Sequence, residues 1–404
     1  MNIWYISKYA SSDKYNAGTR HFYLGQEWVK TGNNVTIISS NSSHLSDSVP
    51  YFRRSYMVET IEGLTVVWLK VFKSKNSSGI LRIFGWFLFD LKLLLFSKKG
   101  LSRPDVIILS SLSLTSVLPG LILAKWFKSK FVFEVRDIWP MSAMVLGGYS
   151  KYHPFILYLS WLEKQGYQKA NLIVGTMPNL AQHVNIVCKV RAKIICIPQG
   201  LNLEFFERKS EALEKDFIDT YIPQNKFIVC YAGTMNVNNP LNDLIGAARI
   251  LKHREDIFFL LIGNGSNRAV LQDLSKDLPN VVFPPSIAKN KITSLLKLVN
   301  VCYDAFHSKL APYGLSRNKW IDYMYSAKPI ICSYDGFQSM INESKSGSFV
   351  EFGDEVKLAN IISEFASYPK QTLDNIGSRA KNFVITNRSF DKLAALYLLE
   401  LENC

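Results

Sequence analysis

Residues 227–268 read FIVCYAGTMNVNNPLNDLIGAARILKHREDIFFLLIGNGSNR. Phe227 to Ala232 and Phe258 to Ile262 are short apolar runs, each followed at once by a glycine, Gly233 and Gly263. Runs of this length closed by a turn residue predict buried strands, and the residues between them suffice for the helical crossover of a parallel pair. The pattern continues through Val281 to Phe283, Val301 to Tyr303, Pro329 to Cys332 and Ser348 to Phe352. The first half carries it too, in Ile3 to Ile6, Val35 to Ser39, Thr65 to Trp68, Val106 to Leu109, Lys130 to Val135, Leu172 to Gly175 and Ile194 to Ile197. Strands alternating with helices from end to end predict an α/β fold of stacked βαβ units.

A chain of 404 residues exceeds one ordinary domain and suits two. The expected division is 1–198, 199–388 and a terminal apolar-faced helix in 389–404 able to pack on either domain. Pro198-Gln199-Gly200-Leu201-Asn202 and the charged segment Glu204 to Asp219 read as the linker. Two doubly wound domains that face each other bring the carboxyl ends of their strands, where such sheets bind ligands, around a central cleft.

Hydrophobic residues at 48% and charged residues at 20% exclude an extended disordered chain. The formal net charge is +14, and its distribution is uneven. Residues 1–200 hold 24 Lys and Arg against 10 Asp and Glu; residues 201–404 hold 23 of each. A polyanion or an anionic membrane is therefore expected to meet the first domain. No zinc-finger spacing or aromatic RNA platform supports nucleic acid. The six cysteines are scattered without a C-x-x-C pair, as expected for reduced thiols of a cytosolic protein.

Met1 to Ile6 lacks a basic n-region and reads as a strand rather than a leader. Residues 106–124 carry no charge, but five Ser/Thr and Pro119 make them a strand and a helix rather than a membrane span. Residues 80–96 (ILRIFGWFLFDLKLLLF) place Arg82, Gly85, Asp90 and Lys92 on one side of a helix. The remaining wide apolar face, with Phe84, Trp86 and Phe87, suits a lipid interface or the domain core.

The stretch richest in chemistry is Tyr313-Gly314-Leu315-Ser316-Arg317-Asn318-Lys319-Trp320-Ile321-Asp322-Tyr323-Met324. A Gly-Leu-Ser turn opening a helix offers free backbone N–H groups, and Arg317 and Lys319 add positive charge at the same end, which outlines a diphosphate site. Asp322, about one turn further, has the carboxylate that two ribose hydroxyls need. The same residues equally fit a solvated helix start with an acid near its positive end.

This stretch resembles the nucleotide-sugar signature of retaining glycosyltransferases of family 4, in Gly314-Leu315-Ser316-Arg317-Asn318-Lys319, Asp322-Tyr323-Met324 and Ala327-Lys328-Pro329. The resemblance extends to Tyr231-Ala232-Gly233-Thr234, Ile262-Gly263-Asn264-Gly265, Ile197 to Asn202 and Glu134 to Pro140. It implies the GT-B fold, two Rossmann-like domains around a cleft, and donor contacts from Gly233, Thr234, Gly263, Gly265, Pro285, Leu315, Ser316, Asn318 and Asp322. It also implies catalytic roles for Arg317 and Lys319 at the leaving diphosphate and for Arg136 and Asp137 at the acceptor. Gly18 and Arg20 fall where relatives approach an acceptor or phosphate.

Three departures stand out. The family's paired glutamates become Gly314 and Asp322, which removes the usual carboxylate contact to the donor sugar. The loop Thr234 to Asn239 is uncharged where many members carry an Arg and a Lys. Arg268 occupies the third glycine position of a dinucleotide fingerprint, so that motif is incomplete. For Gly18 a helix-capping loop, and for Arg136 and Asp137 a mutual ion pair capping the next helix, fit the residues as well. No Asp-x-Asp motif and no metal-spaced His/Cys cluster occurs, so the expected reaction is metal-independent, without a cofactor beyond the nucleotide sugar. The six histidines read as surface or structural.

The resulting expectation is a hexosyltransferase-type enzyme that uses a nucleotide sugar, UDP-linked, as donor. Its acceptor would be a polyprenyl-diphosphate-linked saccharide of bacterial O-antigen or capsule synthesis, met at the cytoplasmic face of the cell membrane. The rivals are a sugar-nucleotide epimerase on the same fold and a non-enzymatic basic membrane-binding module.

Overall fold

The structure is a computed structural model that describes residues 1–15, 19–42, 49–72, 80–208, 210–306 and 309–404. It divides into two compact units, Met1–Pro198 with Phe390–Cys404, and Gln199–Ser389.

The first unit runs β1 (Asn2–Ile6), α1 (Arg20–Lys30), β2 (Asn34–Ser40), β3 (Tyr56–Ile61), β4 (Leu64–Leu69) and α2 (Ile80–Leu95). It continues with β5 (Val106–Ser110), α3 (Val117–Phe127), β6 (Lys130–Val135), α4 (Met141–Gly147), α5 (Pro154–Lys169), β7 (Leu172–Gly175), α6 (Leu180–Val187) and β8 (Lys193–Cys196). Its sheet has the order β3-β4-β2-β1-β5-β6-β7-β8. All neighbours are parallel except β3 and β4, a hairpin that caps one edge. The strands of the middle are buried on both faces, which is why they read as continuous apolar runs.

The second unit begins with α7 (Leu203–Arg208) and α8 (Lys215–Tyr221), so the charged segment expected to be a linker is largely helical. There follow β9 (Phe227–Ala232), α9 (Asn242–Ile250), β10 (Ile257–Ile262), α10 (Arg268–Leu274), β11 (Val281–Val282), α11 (Ile292–Lys297) and β12 (Val301–Phe306). The rest is α12 (Asn318–Tyr325), β13 (Ile330–Tyr334), α13 (Met340–Glu343), β14 (Gly347–Val350), α14 (Glu355–Ser367) and α15 (Lys370–Arg388). The sheet order is β11-β10-β9-β12-β13-β14, all parallel. The chain winds outward in one direction from β9 and in the other from β12, which makes the crevice between their carboxyl ends the topological switch point.

The terminal helix α16 (Phe390–Asn403) packs in the first unit against α1. Trp28 fixes it, donating its indole N–H to Ala394 O at 3.0 Å and meeting the Tyr397 ring edge-on at 5.4 Å.

Helix α2 packs inward with the side expected to face water. Gly85 and Asp90 are buried, and Ser116 donates a hydrogen bond to the Asp90 carboxylate. Trp86, grouped by the sequence reading with the apolar face, is buried and donates to Tyr9 Oη at 2.7 Å. Burial raises the Asp90 pKa to about 6, against its hydroxyl hydrogen bonds and Lys8. Arg82 and Lys92 stay partly accessible, and the most exposed side chains are apolar: Leu81, Phe84, Phe87, Leu91 and Leu95. Among the described residues no helix is long and apolar enough to cross a membrane.

Candidate functional site

At the carboxyl ends of β9 and β10 the second unit holds a cavity of about 610 Å³. Its walls are the turn Ala232-Gly233-Thr234, the turn Ile262-Gly263-Asn264, the segment around Ser286 and Lys289, and the start of α12 with Arg317, Asn318, Lys319 and Asp322. This volume lies within the range of clefts that enclose small organic ligands.

The two turns are locked by glycines. Gly263 has φ +135°, and a Cβ there would lie 1.9 Å from Gly233 O. Gly265 has φ +152°, and its Cβ would lie 2.0 Å from Met235 O. Both positions exclude a side chain so that the β10 turn can press backbone to backbone on the β9 turn. Gly265 lies outside the cavity lining, so its demonstrated contact is with the loop at 235. Arg268, at the third position of the incomplete fingerprint, braces the site from behind. Its guanidinium donates to Gly263 O and, at 2.9 Å each, to Phe283 O and Pro284 O.

Helix α12 starts without a side-chain cap, leaving its first N–H groups free of one. Tyr323 ties the helix to β9: its hydroxyl accepts from Ala232 N at 2.9 Å and donates to Ala232 O at 3.1 Å. Asp322 follows on the cavity side, half-buried. Desolvation raises its pKa to about 6, opposed by Lys289 across the cavity. The carboxylate has no hydrogen-bond donor among the described residues, so its acceptor capacity is unused.

Arg317 and Lys319 line the same cavity, and both are held by Asp304 in β12. Lys319 Nζ lies 3.0 Å from Asp304 Oδ1 and donates to Tyr231 Oη at 3.0 Å. Arg317 Nε lies 3.3 Å from Asp304 Oδ2, a contact whose geometry falls short of a hydrogen bond. Arg317 also donates to Ala305 O at 3.0 Å and to Asn239 Oδ1. Asp304 is completely buried. Burial brings the Lys319 pKa down to about 8, although Asp304 pulls it up. Of the donors each side chain owns, one on Lys319 and three on Arg317, the Nε–H that faces Asp304 among them, make no hydrogen bond. Gly233 makes room for this arrangement, since a Cβ there would stand 3.1 Å from Lys319 Nζ.

The structure thus gathers Gly233, Thr234, Gly263, Arg317, Asn318, Lys319 and Asp322 around one cavity. Leu315, Ser316 and Pro285 do not line it. Ser316 instead accepts a hydrogen bond from Gln199 N at 2.7 Å. Pro285 is exposed, and the carbonyls just before it are taken by Arg268. Sequence reasoning missed Asp304, Tyr231 and Asn239. An acid inside the apolar run Val301 to Phe306 is the signal that points to the first.

In the first unit, Arg20 is buried, pairs with Glu134 at 3.1 Å, and donates to Ile197 O and Pro198 O at 3.1 and 2.7 Å. Glu134 also accepts from Tyr5 and Ser110. His21 completes the cluster as a buried ring beside Ser110; burial, then Arg136 and Arg20, hold its pKa well below the usual value. Asp137 accepts from Ser142 and from Trp139 Nε1 at 3.1 Å, which ties it to the start of α4 without an ion pair to Arg136 among the described contacts. Gly18 lies outside the described residues, as do His44 and His307. No cluster of three or more potential metal ligands occurs among the described residues.

Residues 226–367 match the family model of glycosyl transferases group 1. No curated protein matches the chain. Among solved structures, a sucrose-phosphate synthase from Thermosynechococcus elongatus aligns over 100% of this chain and 98% of its own, at 16% identity and TM-score 0.70. A glycosyltransferase from Rickettsia africae covers the same shares at 18% identity and TM-score 0.67. The Anabaena protein HepE, in complex with UDP and glucose, aligns over the full length of both chains at 13% identity and TM-score 0.63. The fold is that of GT-B proteins, and the domain match lies on the unit that contains the cavity.

Proposed function

We propose that the protein is a retaining, metal-independent glycosyltransferase that takes its sugar from a UDP-linked donor bound in the second unit. One observation carries the reading: the cavity at the carboxyl ends of β9 and β10 has an undonated carboxylate, Asp322, about one helical turn beyond two cations with free N–H groups. A nucleoside diphosphate has the complementary parts, a ribose diol that donates twice and a diphosphate that only accepts. The group 1 match over residues 226–367 and the UDP found with HepE support this assignment.

In the reaction, the bond from the anomeric carbon to the diphosphate breaks while the acceptor hydroxyl attacks the same face. The departing phosphate oxygen takes the acceptor proton. Arg317, Lys319 and the free N–H groups of α12 stabilise the charge that develops on the diphosphate. On the acceptor side the reading places Arg136 and Asp137, at the carboxyl end of β6, toward a polyprenyl-diphosphate-linked saccharide at an anionic membrane surface. The basic balance of residues 1–200 supports that acceptor class.

The test is thermal protection by a panel of nucleotide sugars, followed by transfer assays in chelator with the product anomer read by NMR. Protection by a UDP-sugar, undiminished turnover without divalent ions, and a retained anomer are expected. Protection by no nucleotide sugar would remove the assignment; turnover without acceptor would replace it with epimerisation.

A further inference from the structure

We propose that the exposed faces of α2, α3 and α5 form one surface that docks into an anionic phospholipid bilayer. The proposal deepens the membrane element of the reading above and does not depend on donor chemistry. It starts from the inverted packing of α2. Asp90, Trp86, Phe89 and Leu93 turn inward, while Leu81, Phe84, Leu91 and Leu95 recur at helical spacing on the opposite side, 54 to 73% exposed. A helix that sends its acid inward and its leucines outward has given its apolar stripe no partner within the unit.

The stripe does not end with α2. Phe87 stacks on Tyr158 of α5 at 6.2 Å, and Tyr158 stacks in turn on Trp161, which is 47% exposed with Leu157 beside it. Helix α3 packs against both α2 and α5, and presents Leu118, Ile122 and Trp126 to solvent, the last 66% exposed. Contiguous apolar area on this scale marks an interaction site.

The border of the surface identifies the occupant. At the carboxyl ends of α2 and α3, Lys98 lies over the Phe96 ring at 4.4 Å and the Trp126 ring at 5.9 Å. Arg103 bonds Phe127 O beside them, and Lys99, Lys125 and Lys128 are exposed in the same stretches. Aliphatic side chains at the centre with tryptophan and basic residues at the edge match the acyl region and anionic headgroups of a bilayer. A second copy docked on the same face would bring this basic edge against another, in a half-chain with excess positive charge only.

Flotation of the full chain with phosphatidylcholine vesicles, with and without phosphatidylglycerol, tests this. Variants on each helix are Leu91→Gln with Leu95→Gln, Trp126→Gln, and Trp161→Gln; all four positions are exposed, so unfolding midpoints should match the parent. The parent should float with anionic vesicles at low salt, and each variant should partition about tenfold less. Brominated acyl chains should quench the parent more than the Trp126→Gln, Trp161→Gln double variant. No flotation overturns the proposal. So does flotation that Lys98→Glu abolishes and all apolar variants retain, which is headgroup attraction alone, or a dimer that the apolar variants dissociate. UDP titration in parallel keeps the readings separate: UDP binding without flotation removes only this surface, and flotation without UDP binding removes only the donor assignment.

Discussion

In an Asp322→Asn protein the cavity keeps its shape and loses one negative charge. Desolvation has raised the Asp322 pKa from 3.8 to about 6, opposed by Lys289. Between those values the folded chain retains a proton that the unfolded chain has released. Stability therefore falls as pH rises through that window and stays lower above it. A shift of about two units at ~1.4 kcal/mol each sets an upper bound of about 3 kcal/mol, and solvent access to the cavity reduces it to about 1 to 2 kcal/mol. Asparagine escapes this penalty, so the variant should unfold several degrees higher near neutral pH, at about 2 to 4 °C per kcal/mol for a unit of this size. The gain should vanish at about pH 4, where the parent carboxyl is protonated.

Binding should move the other way. Two ribose hydroxyls donating to a carboxylate form charge-assisted bonds worth roughly 1.5 to 3 kcal/mol each. Asparagine keeps one acceptor oxygen, so UDP affinity should fall about 10- to 100-fold, and about 100-fold or more in Asp322→Ala, which keeps none. Scanning calorimetry at the two pH values and isothermal titration with UDP measure both effects on one preparation. A variant that is less stable than the parent near neutral pH would show that Asp322 serves the fold; UDP affinity unchanged within twofold would place the ribose elsewhere.

Lys319, with its pKa lowered to about 8, should lose its charge as pH rises through that value, so UDP affinity should decline there; Lys319→Met should bind weakly at neutral pH and lose the alkaline decline. Asp304→Asn leaves two cations beside a buried neutral group, and urea unfolding should show about 3 to 5 kcal/mol of lost stability. Gly263→Ala drives a Cβ to 1.9 Å from Gly233 O at φ +135°; a lower unfolding midpoint together with weaker UDP binding is expected, and a neutral result would mean the two turns are not coupled.

The strands that carry the fold were legible because burial on both faces makes them apolar runs, those of β9 and β10 followed at once by a glycine. Strand β3 was not, since Tyr56–Ile61 is a half-exposed edge with Glu59 in it, and its turn is Glu62-Gly63 rather than a more familiar Asn-Gly. Segment 204–219 looked like a linker because α7 and α8 carry many charges. In α2 the helical period was readable but its inward side was not. Charge alone placed Asp90 in water, whereas Ser116, 26 residues away, supplies the hydrogen bond that lets it be buried. The cations of the candidate site were visible in one stretch, and their anion was hidden inside a strand.

That hidden anion changes the electrostatic account of the site. Two cations share one buried carboxylate, leaving a single net positive charge where a diphosphate carries more than one negative charge. In the proposed reaction net charge alone therefore cannot hold the leaving group, and fixed dipoles would supply the remainder: the uncapped N–H groups of α12 and the backbone of the Gly233 and Gly263 turns. Asp304 weakens the raw attraction and in return fixes where the donors point. Arg317 is held at Asp304, Ala305 and Asn239, and Lys319 at Asp304 and Tyr231, before any ligand arrives. In the proposed transfer, donors already oriented need no rearrangement when charge develops on the diphosphate, and that is the moment at which stabilisation accelerates the reaction.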